Sequence, residues 1–209
     1  MPRRKLTTDS NYMGLSILPE PEHGNYLNIL EAIRLRMNDM IDRHCKVFGV
    51  LFGLNLPWGS GIVPDNHHVE AFMGDFCEYL RGLGIDYHYV VVREQVAPDA
   101  QPHWHGFLLM DGNRTWSFYG GHLEEAKRIW GTALGGVEGR GRVDVSRWDE
   151  AFSPTYPYVG NGGVMMMRND PRFEQAYQLL FERASYLGKV ITKQFTPKSL
   201  RKFSSSHLR

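Results

Sequence analysis

An α+β fold, a central antiparallel sheet with helices packed on one face, is what this 209-residue chain predicts. Two observations lead there. Stretches with apolar residues at helical spacing alternate with short apolar, β-branched and aromatic runs, in the order helix, strand, helix, strand, strand, helix, strand, helix. In the middle, two strands follow one another directly, and Pro98, Asp99 and Pro102 between them supply the turn chemistry of a long hairpin. Alternation interrupted by a hairpin is the pattern of helices laid on an antiparallel sheet.

The elements follow in order. Residues 1–24 carry Pro19, Pro21 and scattered polar groups without a sustained period, and read as an extended arm. From residue 25, Leu27, Leu30, Ile33, Leu35, Met37, Met40 and Ile41 recur near helical spacing, so a helix is expected to about residue 43. Residues 46–56 form a long apolar run stopped by Pro57. Phe48, Val50, Phe52, Leu54 and Leu56 take alternate positions there, leaving Gly49 and Gly53 on the other face. That is a core strand with room for something packed closely against one side. After a glycine- and proline-rich loop at 58–65, Asn66 is placed to cap a helix running to about Leu83. Its buried stripe is Val69, Phe72, Met73, Phe76, Tyr79 and Leu80, and Gly82 and Gly84 end it.

The hairpin strands come next, residues 86–94 and 103–110. A turn at Asp111, Gly112 and Asn113 leads past Trp116, Phe118 and Tyr119 to a helix expected from His122 to about Leu134. Gly135, Gly136, Gly139 and Gly141 link it to a short strand at 142–146. Residues 152–163 read as a long loop; no Lys-Ser/Thr follows their glycines as a nucleotide P-loop requires. Asp170-Pro171 signals a last helix, expected to run through Phe173, Tyr177, Leu180, Phe181, Ala184 and Leu187 as far as Lys193. The organisation expected is an arm at 1–24, one folded domain at 25–195, and a basic tail at 196–209.

Bulk properties bound the class. Hydrophobic content of 42% and charged content of 22% are those of a globular protein with one sizeable core. Cys45 and Cys77 are too few and too distant for a disulfide framework or a zinc cluster, so a reducing cytoplasm is the expected setting. No apolar run approaches the roughly 20 residues that cross a bilayer, and no hydrophobic segment follows the basic first five residues, so neither a membrane span nor a secretory signal is expected. Net charge is only +1, but its distribution is uneven. After Glu182 there is no acidic residue, while Arg183, Lys189, Lys193, Lys198, Arg201, Lys202 and Arg209 follow. A one-signed segment is an electrostatic footprint for phosphate, and Lys193, Lys198, Arg201 and Lys202 are its candidate contacts.

The chemistry centres on the hairpin. Successive strand side chains point to opposite faces, so His103 and His105 share a face and Trp104 points away. Glu94, ending the preceding strand, can reach that pair from the neighbouring ladder position; Gln95 beside it is the alternative. Two neutral imidazoles and one carboxylate bind a divalent cation and leave positions free for substrate. In the last helix, Tyr186 and Lys189 stand three residues apart and so point the same way. A tyrosine hydroxyl, with a pKa of about 10, is a poor nucleophile at neutral pH. A nearby ammonium and a polarised phosphate would favour the phenolate.

His103-Trp104-His105 resembles the His-hydrophobe-His signature of HUH endonucleases, and Tyr186-Leu187-Gly188-Lys189 resembles their Tyr-x-x-Lys nucleophile motif. The surrounding text, Val92-Arg93-Glu94 before the histidines and Arg183-Ala184-Ser185 before the tyrosine, is similar to the replication proteins of filamentous phages (inoviruses), over about residues 46–209. The resemblance implies a rolling-circle initiator built on a central antiparallel sheet (an RRM-like palm), with the histidines on a middle strand and the tyrosine on a helix above it. It implies Mg²⁺ or Mn²⁺ at His103, His105 and Glu94, attack by Tyr186 through a 5′-phosphotyrosine, and Lys189 steadying the phosphate or the tyrosine oxygen. The substrate implied is single-stranded DNA at a replication origin. No helicase domain is read in the sequence, so a host helicase is the expected partner, and a monomer or weak dimer is the expected working form. Tyr177 lies half a turn from Tyr186 round a helix, so a single-tyrosine enzyme is expected. Two other readings stay open: a transposase or relaxase relative, and a non-catalytic module stacking bases on Tyr87, Tyr89 and Trp104.

Overall fold

The structure, a computed structural model, describes residues 5–59, 61–62, 65–136, 141–146 and 159–208. Four two-residue strands open the chain: β1 (Leu6–Thr7), β2 (Asn11–Tyr12), β3 (Leu15–Ser16) and β4 (Asn25–Tyr26). Then come α1 (Leu27–Arg43), β5 (Lys46–Asn55), α2 (His67–Gly82), β6 (Tyr87–Glu94), β7 (His103–Asp111) and α3 (Gly121–Ala133). The last elements are β8 (Arg142–Val145), β9 (Val159–Gly160), β10 (Gly163–Met167), α4 (Phe173–Ser185), two 3₁₀ turns at Tyr186–Gly188 and Ile191–Lys193, and β11 (Phe203–Ser205).

The architecture is α+β: among the described residues, a seven-stranded sheet has four helices packed on it. Its strands run β11-β6-β7-β5-β10-β9, all pairings antiparallel, and β8 joins β5 beyond the end of β10. The expected hairpin is β6–β7, and its register sets Glu94 against His103 and Val92 against His105.

Helices cover both faces of the sheet, not the one expected. α1 and α4 pack with Val90, Val92, Phe107 and Leu109 on one side; α2 and α3 pack with Val91, Leu108 and Met110 on the other. The reason is legible in β6 and β7, whose Val90-Val91-Val92 and Phe107-Leu108-Leu109-Met110 are apolar on consecutive residues and so need cover on both sides. Each fully buried valine, leucine or phenylalanine stabilises the fold by about 1.5–3 kcal/mol.

Several boundaries differ from expectation. The arm is docked: β1 pairs β4, Tyr12 stacks on Phe181 at 6.3 Å, and Ile17 is buried among α1 and α4. Asn66 occupies the N-cap position of α2 without capping it. Its side chain accepts from Trp104 Nε1 and donates to Arg201 O, and Asp65 Oδ1 accepts from the His67 N–H at 2.9 Å instead. Within the expected loop at 152–163, residues 152–158 lie outside the described residues, as do Gly139 of the glycine link and Arg209 of the basic segment. The rest forms β9 and a turn with Asn161 at φ 54°, leading into β10. The last helix stops at Ser185 and runs on into a 3₁₀ turn, where Gly188 passes close to Leu30 and Asn25 and a Cβ would lie 3.1 Å from Leu30. The basic tail contains β11, hydrogen-bonded to β6 at the sheet edge.

Candidate metal centre and tyrosine site

β7 lies in the interior of the sheet, between β6 and β5, so the backbone carrying His103 and His105 is held on both sides. Both imidazoles project to the face that α1 and α4 cover, at the end those helices leave open. Their side chains remain 29% and 32% exposed, while Glu94 across the ladder is buried at 1%. Glu94 Oε2 lies 3.6 Å from Nε2 of each histidine, and candidate donor atoms of the three residues lie within 4.8 Å of one another. The donor set suits a divalent cation that keeps open positions. Gln95, the alternative third ligand, points elsewhere: its amide accepts from Arg93 and donates to Pro98 O.

Tyr186 arrives from the other end of the chain. α4 delivers it just past its last residue, at the start of a 3₁₀ turn, not inside a continuous helix as expected. Its hydroxyl donates to Glu94 Oε2 at 3.3 Å, and its ring meets His105 edge-on with centroids 5.6 Å apart. Lys189 Nζ stands 5.6 Å above the tyrosine ring and 3.9 Å from Glu20 Oε2. A 3₁₀ turn brings residues i and i+3 into line, so the pair still meets although the α-helix has ended. Tyr177 is buried under α1 and donates to Asn38, which leaves Tyr186 as the tyrosine at the centre. Beside Tyr186 and His105 a pocket of about 270 Å³ opens, lined also by Leu18, Leu51, Ser146 and Arg183.

The electrostatics assign protonation states. Burial pushes the Glu94 carboxyl up, but the His103 hydrogen bond and the charge of Lys193, joined by that of His105 once the ring is protonated, outweigh it and hold it at about 2. Burial lowers His105, which keeps that imidazole neutral and its lone pair available to a cation. Burial, followed by the negative charge of Glu94, pushes the Tyr186 phenol up to about 12. In this state the phenol keeps its proton and directs it at Glu94.

Of the basic residues expected on DNA, Lys198 and Arg201 are exposed. Lys193 is a correction. It is fully buried and paired with Glu94 Oε1 at 2.9 Å, because an ionised carboxylate sealed inside the protein requires a counter-charge. Lys202 is half-buried and committed to Lys193 O and the Tyr26 hydroxyl. Thr192, which also donates to Glu94 Oε1 at 2.9 Å, escaped sequence reasoning. Nothing local marks a threonine 98 residues from its partner. Of the three residues expected to stack bases in a non-catalytic module, Tyr89 is half-buried and lines an open pocket beside α2, while the other two are withdrawn. Trp104 is 1% exposed between Arg93 and Trp130, and Tyr87 is buried under α2.

No family model matches the chain, and no match is found among curated proteins. Among the described residues no helix is long and apolar enough to cross a membrane.

Proposed function

We propose that this protein is a rolling-circle replication initiator that nicks and rejoins single-stranded DNA, with Tyr186 as nucleophile and Glu94, His103 and His105 holding Mg²⁺ or Mn²⁺. The observation that carries this reading is the convergence at one carboxylate oxygen: Glu94 Oε2 faces both imidazoles and accepts from the Tyr186 hydroxyl. Glu94, His103 and His105 would hold the cation, which when bound would polarise the scissile phosphodiester and offset the charge that develops on its oxygens. The Tyr186 oxygen attacks phosphorus, the bond to the 3′ oxygen breaks, and a 5′-phosphotyrosine forms. The phenolic proton passes to solvent and the departing 3′ oxygen takes one from water, so atoms and charge balance. Lys189, above the ring, stabilises the phenolate as it forms. The reverse step rejoins the strand, since the phosphotyrosine conserves the bond energy. A single strand can thread its backbone into a site enclosed by α4 and the arm; opening the duplex falls to a host helicase.

The test is an oligonucleotide nicking assay with Mn²⁺, resolved on a denaturing gel. Wild type yields a protein–DNA adduct that chelator abolishes. Tyr186→Phe loses both adduct and nicking while retaining single-strand binding. Wild type that binds DNA and Mn²⁺ yet forms no adduct would overturn the reading.

A further inference from the structure

The two oxygens of Glu94 have separate neighbourhoods. Oε2 faces the histidines and Tyr186; Oε1 accepts from Lys193 Nζ at 2.9 Å and from Thr192 Oγ1 at 2.9 Å. All three donors of the Lys193 ammonium are spent, on Glu94 Oε1, on Lys189 O at 3.1 Å and on Thr192 Oγ1 at 2.9 Å. The 3₁₀ turn carrying these residues is itself fastened to the sheet. The Gln95 N–H donates to Thr192 O at 2.7 Å, and Lys202 Nζ donates to Lys193 O at 2.7 Å. A carboxylate ordinarily rotates or swings to offer either oxygen to a cation. Here one oxygen is withdrawn into the protein and the other is presented.

Resting on the metal-centre reading above, we infer that Lys193 and Thr192 are positioning residues that clamp Glu94 so that it offers a single oxygen, Oε2, to the cation. Hydrogen bonds that orient a ligating carboxylate govern metal affinity, and their loss typically costs tenfold or more. A merely structural ion pair would instead stabilise the fold and leave the site's affinity alone. The two roles separate in a double-mutant cycle, because a residue acting through Glu94 has nothing to act on once Glu94 no longer ligates.

The experiment is Mn²⁺ titration followed by calorimetry and by the electron paramagnetic resonance of bound Mn²⁺. It compares wild type, Lys193→Met, Thr192→Val, Glu94→Gln and the Lys193→Met/Glu94→Gln pair, each checked for a cooperative melt. Lys193→Met is expected to weaken Mn²⁺ binding about tenfold or more and to change the spectrum of the bound ion. Thr192→Val, which keeps the buried ion pair and so the fold, is expected to weaken it by a few-fold. In the Glu94→Gln background the lysine substitution adds nothing. Should Lys193→Met unfold, Thr192→Val and the double variant, whose pair is neutral, carry the test. Affinities within twofold of wild type in the folded variants, or an equal loss with and without Glu94, overturn the clamp alone. Failure of wild type to bind Mn²⁺ overturns the metal centre, and the clamp with it.

Discussion

At the scale of single residues, this molecule uses glycine to let helices approach the sheet. A Cβ on Gly49 would lie 2.4 Å from Leu180 Cδ2, and Leu180 is fully buried. Gly49→Ala should therefore destabilise the protein by about 1–3 kcal/mol, the usual cost of overpacking, measured as the shift in urea unfolding. Since Leu180 sits on the helix that delivers Tyr186, the same change should also lower the nicking proposed above. The alternation of bulky residues with Gly49 and Gly53 in β5 announced this close approach. So did the shared face of His103 and His105, because strand geometry alone fixes it. Choosing Glu94 over Gln95 required knowing that Gln95 bonds Arg93 and Pro98, contacts that spacing does not reveal.

Among the elements, β11 shows how a polar segment is recruited into a sheet. Its neighbour Ser206 accepts from the Tyr89 N–H at 3.1 Å and bonds His88 Nδ1 at 2.7 Å, and its carbonyl accepts from Arg36. Ser206→Ala should loosen this edge by about 0.5–1.5 kcal/mol. The readout is faster hydrogen exchange at Tyr89 and at Arg93, whose amide donates to Lys202 O. No change at those amides would show that Phe203 and its backbone pairing hold the strand unaided. Sequence patterning missed β11 because Ser204-Ser205-Ser206 has no apolar alternation. It missed β10 because Met165, Met166 and Met167 follow a glycine cluster that reads as loop. Periodicity likewise carried the last helix too far. Leu187 continues the apolar stripe of α4 and is buried, but the backbone there has already tightened into a 3₁₀ turn.

On the scale of the whole molecule, a sheet covered on both faces also buries ionisable groups outside the candidate metal centre. Burial lowers the pKa of His88, His44 and His122. A folded-state value below the unfolded value of about 6.5 means that the unfolded chain binds more protons as pH falls. Their contribution to stability is complete above about pH 6.5 and is lost as pH drops through the lowered folded values. The expected result is a urea midpoint that is level from pH 8 to 7 and declines towards pH 5. A midpoint that rises on acidification through that range would contradict the burial of these rings.

The alternation of helical and strand patterns, the β6–β7 hairpin and the facing of the two histidines are local properties of the chain, set by side-chain periods and turn residues. By itself, then, the sequence determined the α+β class and the candidates for the metal ligands and the nucleophile. Tertiary structure decided what those residues meet: the second helical layer, the docked arm, the edge strand, and Lys193 set against Glu94 across 99 positions. Such encounters depend on which surfaces must be removed from water together and on where a buried charge finds its counterpart. Neither leaves a mark in the spacing of residues along the chain.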